Sequence, residues 1–425
     1  MRLLHTSDWH LGRTFHGNPT TEALREVLDA LVAQVREHRV DAVLISGDIF
    51  DHAAPAAALY RVLSDVLRAL RDTGATVIAI SGNHDSATRL GFQAEWAARA
   101  GVHILTDPAS MREPVTLHDE HGPVHIIGLP YLEPLLVREH FTDPAPRSHA
   151  ELYARLVPEL DAERAERGGR HIILAHVFAV NTTAVNTAAV KTAAVNTAAV
   201  NTATGSGGAE LDPAAENAAL ARDLTQGGLD LVPAQLFAGF DYAALGHIHG
   251  RAVLAPNVRY SGAPLHLSFA EADKPRGSWL IDLGDPWSET GALGEVSWLP
   301  LPVPRALVRL TGTLDELLAE ERFAGHTDDW VQATLTDEVR PLDAMRRLRE
   351  RFPHCAQLEY RPAQRADRDQ RSYAERVTEK SDHEILGEFL AHVRNGHGPD
   401  DAETELINEV LADTRAASQQ KADAS

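Results

Sequence analysis

The sequence predicts an α/β fold over residues 1–300, followed by a smaller α/β domain and C-terminal helices. Three observations predict it. Short apolar runs alternate with segments of helical periodicity through the first half of the chain. Several of those runs end in Asp, Asn or His. Pro300, Pro302 and Pro304 then interrupt the chain, and a compact strand–helix pattern restarts beyond them. Apolar runs bounded by turns, with helices outside, indicate strands buried in a mixed sheet between helical layers.

Arg2–Thr6 reads as the first strand. Thr20–Glu37 reads as a helix, because Leu24, Val27, Leu28, Leu31 and Val35 recur at helical spacing. Asp41–Ser46 is a strand, Ala56–Arg71 a helix with Leu59, Val62, Leu63, Val66, Leu67 and Leu70 on one face, and Ala75–Ser81 another strand. Arg89–Arg99 is expected to be one helix. Strands at Val124–Leu129 and His171–Ala175 flank a helix near His149–Ala165. Tyr242–Leu245, Val258–Tyr260 and Ser278–Leu283 continue the strands. Between them, Asn181–Thr202 repeats a five-residue unit close to Asn-Thr-Ala-Ala-Val and runs into Gly205–Gly208. That period matches neither helix nor strand, so the segment reads either as a flexible insertion or as an ordered solenoid-like stack.

Beyond the prolines, Ala306–Leu310, Trp330–Leu335 and Ala356–Tyr360 are expected strands, with helices at Leu314–Glu321 and Leu342–Phe352. Arg361–Arg376 is polar and reads as a linker. Two amphipathic helices follow, lined by Ile385, Leu386, Phe389, Leu390 and Val393, and by Leu406, Ile407, Val410 and Leu411. Gly396, Gly398 and Pro399 separate them.

The 425 residues are 44% hydrophobic, enough for an ordinary core, and carry a net charge of −21. That acidity excludes a global electrostatic grip on nucleic acid, so any such contact needs local positive patches or bound metal. Cys355 is the single cysteine, which excludes an intrachain disulfide and a thiolate zinc site and fits a reducing, cytoplasmic compartment. No long apolar leader follows Met1, and no stretch approaches the ~20 apolar residues of a membrane span, so neither a signal peptide nor membrane insertion is expected. The chain has no G-x-x-x-x-G-K-[ST] loop, so ATP dependence would have to come from another chain.

Five strings concentrate the chemistry: Asp8-Trp9-His10, Gly47-Asp48-Ile49-Phe50-Asp51, Gly82-Asn83-His84-Asp85, Ala175-His176 and Gly246-His247-Ile248-His249. Each follows an expected strand, where such a scaffold presents functional loops. Asp8 and His10 are two apart and would point the same way if the strand continued through them. Asp48 can bridge two cations with its two oxygens, and Asp51 reads as an acceptor that orients a neighbour. Asn83 offers a neutral carbonyl oxygen, His84 reads as a proton donor left unligated, and Asp85 as the carboxylate that orients it. His176 alone reads more readily as a structural histidine than as a ligand; His247 and His249 repeat the two-apart logic. His52, Arg13 and Arg89 are candidate phosphate contacts or solvated surface groups. Together the strings supply enough oxygen and imidazole donors for two adjacent divalent cations, which can grip a phosphodiester and generate hydroxide.

The order D-x-H, G-D-x-x-D, G-N-H-D, H, G-H-x-H resembles that of the calcineurin-like metallophosphoesterases. The opening MRLLHTSDWHLG at Met1–Gly12, with GDIFD, GNHDS, YAALGHIH and SGAP (Ser261–Pro264), is similar to the SbcD nuclease group within them. The resemblance implies a metallophosphoesterase β-sandwich with flanking helices over 1–300, and a small α/β capping domain over 301–365. Residues 366–425 would form a linker and C-terminal helices that dock an SbcC-like ATPase. It implies one metal on Asp8, His10, Asp48 and His249 and another on Asp48, Asn83, His176 and His247, with manganese as the usual ion and His84 protonating the leaving oxygen. It further implies a DNA nuclease, both exonuclease and endonuclease, present as a homodimer within a heterotetramer. The low-complexity insertion at 179–208 departs from the family pattern. Two other readings stand beside this one: a phosphoesterase for small nucleotides or phosphoproteins, against which the appended domain and helices count, and a non-catalytic scaffold, against which the complete ligand set counts. The C-terminal helices could alternatively pack on the small domain.

Overall fold

The computed structural model describes residues 1–141, 144–181, 231–287, 291–362, 380–394 and 398–423. The repeat from 182 onward and most of the expected linker lie outside them. The chain divides into two compact units, Met1–Pro304 and Arg305–Ser425.

Strand β1 (Arg2–Thr6) shows why the first unit is layered. Leu3 packs into one hydrophobic cluster and Leu4 into another, as pleat alternation requires of a strand covered on both faces. The short ribbon β2 (Thr14–Phe15) and β3 (Asn18–Pro19) follows, then α1 (Thr21–Glu37), β4 (Ala42–Ser46), α2 (Ala57–Arg71) and β5 (Thr76–Ile80). Next come α3 (Ala87–Leu90), α4 (Ala94–Arg99) and β6 (Val102–Leu105). A second sheet is built from β7 (Val115–Asp119), β8 (Gly122–Leu129), β9 (Arg170–His176), β12 (Tyr242–Gly246), β13 (Ala252–Ala255) and β14 (Val258–Tyr260). Helices α5 (Pro134–Val137) and α6 (His149–Arg167) precede β9, and the short pair β10 (Ala179–Val180) and β11 (Val232–Pro233) follows it. The chain returns to the first sheet as β15 (Gly277–Leu283) and β16 (Leu293–Pro300).

The two six-stranded sheets have the orders β16-β15-β1-β4-β5-β6 and β13-β14-β12-β9-β8-β7. Both are mixed: β1-β4-β5-β6 run parallel while β15 and β16 are antiparallel, and β7 and β13 are the antiparallel edges of the second sheet. They face one another through a shared core of Leu3, Leu44, Ile78, Ile126, Ile172 and Leu174. On β4, Ala42 and Leu44 point into that core while Val43 and Ile45 meet α1 and α2; on β9, Ile173 and Ala175 face α6. The expected β-sandwich with flanking helices is present, with two sheets where periodicity alone suggested one.

Arg170 opens β9 and is fully buried. Its guanidinium pairs with both oxygens of Asp119 and donates to the carbonyls of Gly122 (3.0 Å) and Gly284 (3.2 Å), so it ties the β7–β8 hairpin to the end of β15 in the other sheet. Arg170 holds the Asp119 carboxyl well below the usual carboxylate range. The pair therefore stabilises the fold above about pH 4, and that contribution fades as pH falls toward the depressed value. Asp119→Ala leaves a buried guanidinium without its anion and is expected to cost about 3–5 kcal/mol. Urea denaturation at neutral pH, repeated in acid, checks both the size and the predicted shrinkage of the difference.

In the second unit, the parallel strands β17 (Leu307–Gly312), β18 (Trp330–Leu335) and β19 (Cys355–Tyr360) lie in that order. Helices Leu314–Ala319 and Ala344–Arg351 share their core through Leu317, Leu348, Val331 and Ala333. Helix Asp382–Val393 starts from a Ser381/Glu384 capping box, and Arg394 forks onto Glu403 (2.7 and 2.8 Å) of helix Asp401–Asp423. Leu386, Phe389, Leu406 and Val410 are exposed. No helix among the described residues is long and apolar enough to cross a membrane.

Two expected helices differ. The one over Arg89–Arg99 is split into α3 and α4, because Gln93 adopts a left-handed φ of 64°. The one from Leu342 starts at Ala344, after Asp343 at φ 53°. Helical periodicity does not register such backbone reversals.

Candidate metal centre

Every loop that carries a site string leaves a strand of the sandwich at the same kind of end. Asp8 and His10 follow β1, Asp48 follows β4, and Asn83 and His84 follow β5; His176 ends β9, and His247 and His249 follow β12. The first five come from one sheet and the last three from the other. Two glycines permit the close approach. A Cβ on Gly82 would lie 2.1 Å from Asp48 Oδ1, and one on Gly246 would lie 1.9 Å from the Ser46 carbonyl of the facing sheet.

The loops are held by their own backbone. Asp8 N–H donates to Gly47 O (3.0 Å), His10 N–H to Asp48 O (3.0 Å) and Leu11 N–H to Ile49 O (2.9 Å). Among the described residues eight non-glycines have left-handed φ, and Asp8 (54°), His10 (48°), Asp48 (50°) and His247 (101°) are four of them. Each such residue costs on the order of 1–3 kcal/mol, and such strain gathers where function over-determines the backbone. Asp8 and His10 converge through these turns, not through the pleat alternation expected from their spacing, because β1 ends at Thr6.

The side chains meet. Three sets of ligand atoms lie within 4.8 Å of one another: Asp8, His10 and His249; His10, Asp48 and His84; and Asp8, Asp48 and His176. His10 Nε2 is 3.2 Å from His249 Nε2. Asn83 Oδ1 lies 3.0 Å from both His176 Nε2 and His247 Nδ1. Asp8, Asp48, His10 and His176 are buried. The set is therefore two carboxylates, imidazoles and one amide oxygen, with lone pairs converging and no ammonium or guanidinium among them. Divalent cations suit such an oxygen and nitrogen donor set, and manganese is among them. His10 Nδ1 is 3.3 Å from Asp51 Oδ1, without the angle of a hydrogen bond.

Electrostatics divide the site. Burial opposes ionisation of Asp48, but His176 and His10 beside it win and hold its carboxyl well below the usual range. Burial pushes Asp8 up despite the neighbouring histidines. Burial also lowers the His176 pKa, yet the charges of Asp48 and Asp8 overcome it and push it up to about 9. Burial, then the charge of His176, pushes His247 down to about 3. A cation bound through His176 would have to displace any proton held there. Calorimetry in two buffers of different ionisation enthalpy is expected to report proton release when the His176 position loads, with affinity rising as pH rises above neutrality. Affinity unchanged over that range, together with undiminished binding by a His176→Ala variant, would exclude His176 as a ligand.

Asp85 does not orient His84. Its carboxylate accepts the N–H groups of Ile49 (3.1 Å), Phe50 (2.8 Å) and Gly82 (2.9 Å), locking the Asp48 loop to the Asn83 loop. The His84 ring is held instead by Nδ1 on the Asp51 carbonyl (2.7 Å), and its backbone N–H donates to Asp48 Oδ1 (2.9 Å). The Asp51 carboxylate sits beside His10 and takes Arg13 Nη1 (3.0 Å), so Arg13 reaches the site through Asp51. His52 is exposed, its Nδ1 accepting Ala54 N–H (3.3 Å), and Arg89 is exposed on α3. Neither joins the cluster.

Other residues at the site went unread in the sequence. Ser7 Oγ donates to Asp8 Oδ2 and meets Ser261 Oγ at 2.8 Å. Glu271 lies behind His249, and Tyr131 stands edge-on to His176 at 6.3 Å. Ser261 had a signal, the SGAP string; the others had none, because no spacing rule links them to a ligand.

Comparison with known proteins adds two family matches. The calcineurin-like phosphoesterase model matches residues 1–251. The SbcD C-terminal model, described as the type 5 capsule protein repressor C-terminal domain, matches residues 303–394. Among solved structures the chain is similar to a dimetal phosphatase from Danio rerio, at 13% identity over 66% of this chain and 92% of that one, with a TM-score of 0.34. It is also similar to the anchor in the inner membrane complex of Plasmodium, at 9% identity over 85% of this chain and 98% of that one, with a TM-score of 0.33.

Proposed function

Because the chain belongs to the calcineurin-like phosphoesterases, we propose that it is a two-metal DNA nuclease of the SbcD type, with double-strand exonuclease and single-strand or hairpin endonuclease activity. The observation that carries this reading is the joining of a complete donor set in the first unit to a second unit matched by the SbcD C-terminal model. The appended second unit counts against a small-nucleotide phosphatase.

Asp8, His10, Asp48 and His249 would hold one ion, and Asp48, Asn83, His176 and His247 the other. Bound there, a divalent pair would supply positive charge to the phosphate and acidify water for attack. It would also give a protein of net charge −21 a local positive focus for a polyanion. The rest is the work of side chains. The Asp51 carbonyl fixes the His84 ring through Nδ1, which leaves Nε2 to protonate the departing sugar oxygen. Asp85 keeps the Asp48 and Asn83 loops in register. His52 and Arg89, both exposed, remain candidates for contacts to flanking phosphates.

We further assign the small domain over 301–365 a capping role. The exposed Leu386, Phe389, Leu406 and Val410 of the C-terminal helices are assigned to an SbcC-like ATPase. The proposed assembly is a cytoplasmic homodimer within a heterotetramer, acting with manganese in DNA end processing, repair, recombination and replication. One experiment tests the set. Purified protein, full-length or lacking residues 380–425, is given manganese and end-labelled linear duplex DNA, with and without the ATPase. Full-length protein should degrade the duplex, and the truncated form should keep nuclease activity while no longer co-purifying with the ATPase. Turnover of mononucleotides with duplex left intact would replace the nuclease reading with the small-nucleotide one.

A further inference from the structure

The histidines of the site are backed unequally. His176 Nδ1 rests on a neutral carbonyl, Ser46 O at 2.8 Å. His10 Nδ1 faces the Asp51 carboxylate at 3.3 Å. His249 Nδ1 faces a second carboxylate, Glu271 Oε1, at 3.5 Å. Glu271 lies on the single turn Phe269–Glu271, 22 positions beyond His249, and is only 6% exposed.

That carboxylate is fixed from every side. Leu267 N–H (3.1 Å) and Arg276 Nη2 (2.8 Å) donate to Oε2, and Ser268 Oγ (3.0 Å) donates to Oε1. Arg276 is 3% exposed, and its Nη1 donates to the carbonyls of His249 (2.6 Å) and Ala263 (3.1 Å). One guanidinium thus grips both the carboxylate and the backbone of the histidine that the carboxylate faces. A buried ion pair is a weak device for stability, since apolar residues of similar volume serve as well. Behind a metal-ligating imidazole it has a different use. It fixes the ring and its tautomer and makes the far nitrogen a stronger donor.

We propose that Glu271, held by Arg276, is the positioning residue for His249, and that it sets the affinity of the ion bound by Asp8, His10, Asp48 and His249 without governing the other. The proposal rests on the metal reading above and names a residue that the ligand strings do not contain. On this geometry the two ion positions are unequal by construction. Carboxylates stand behind both imidazoles of the first, while His176 of the second leans on a carbonyl.

The test is a manganese titration of metal-free protein, followed by calorimetry and by electron paramagnetic resonance, which separates a coupled ion pair from a single ion. Wild type should bind two ions and show the coupled signal. Glu271→Gln keeps the volume and can still accept from Leu267 and Arg276. It should bind one ion unchanged and the other about 10–100-fold more weakly, with the single-ion signal dominating at intermediate manganese. In a His249→Ala background the same substitution should have no further effect, because its only route to the ion has gone. Glu271→Asp, which keeps the charge but withdraws it by one methylene, should fall between and serves if the Gln variant is unstable. Equal weakening of both ions, no weakening, or a full effect in the His249→Ala background would each overturn the proposal. A wild type that binds no manganese would instead overturn the metal reading itself, and this assignment with it.

Discussion

Asp48→Ala is expected to lower phosphodiester hydrolysis by at least about 10³-fold and to strip bound metal in the same step. Removing a single well-aimed electrostatic stabiliser typically costs ~10²–10³ in rate, and Asp48 serves more than one partner. Its Oδ2 lies 3.6 Å from His10 Nε2 and 3.5 Å from His176 Nε2, so it stands between the donors of both proposed ions. Its Oδ1 accepts the backbone N–H of His84, so the proposed proton donor is placed by the same carboxylate. The fold should survive, because Asp48 lies in a loop beyond β4 and is not part of the sheet core. Metal content, duplex degradation and the unfolding midpoint decide the matter together. Should the variant keep both ions, or lose them and still cut at the normal rate, the two-metal reading fails.

His84→Ala is expected to separate what Asp48→Ala removes together. The rate should fall about 10²–10⁴-fold, the usual worth of a positioned general acid, while both ions stay. The backbone N–H that His84 gives to Asp48 survives the substitution, and the ring itself is tied to the Asp51 carbonyl and not to a carboxylate of the ligand set. The defect should also depend on the leaving group. A sugar alkoxide needs a proton as it departs, whereas a nitrophenolate does not. A nitrophenyl phosphodiester should therefore recover most of the lost rate. Equal losses on DNA and on the activated ester would remove His84 from the acid role.

The sequence exposed this site because its donors sit in strings at strand ends, and a string survives without knowledge of the fold. Asp8, His10, Asp48, Asn83, His176, His247 and His249 needed only the assumption that such ends gather at one edge. What stayed hidden depends on three-dimensional accident. Asp85 looked like a partner for the histidine beside it, yet a carboxylate adjacent in sequence can turn away to satisfy backbone donors, and Asp85 serves Ile49, Phe50 and Gly82. Arg13 looked like a free cation until Asp51 was found against it. Glu271 and Arg276 carry no periodicity or motif at all, being joined to His249 only by the turn that brings them back. Among the elements, strands with one face against solvent were the hardest to read. β7 alternates half-buried and exposed positions, and β16 is only partly covered, so neither shows the continuous apolar run that identified β4 or β9.

The stacked sheets of the first unit are fastened at both ends. At one end Arg170 reaches from β9 to Asp119 and across to Gly284, a rivet assembled once as the chain folds. At the other, Asp8, His10, Asp48 and Asn83 hang from one layer and His176, His247 and His249 from its neighbour, so any ion held among them would bridge the two layers. An ion bridging the layers would add a cross-link to the shared core of Leu3, Leu44, Ile126 and Leu174. Binding at the proposed centre would then be felt by both sheets, because its donors come from both.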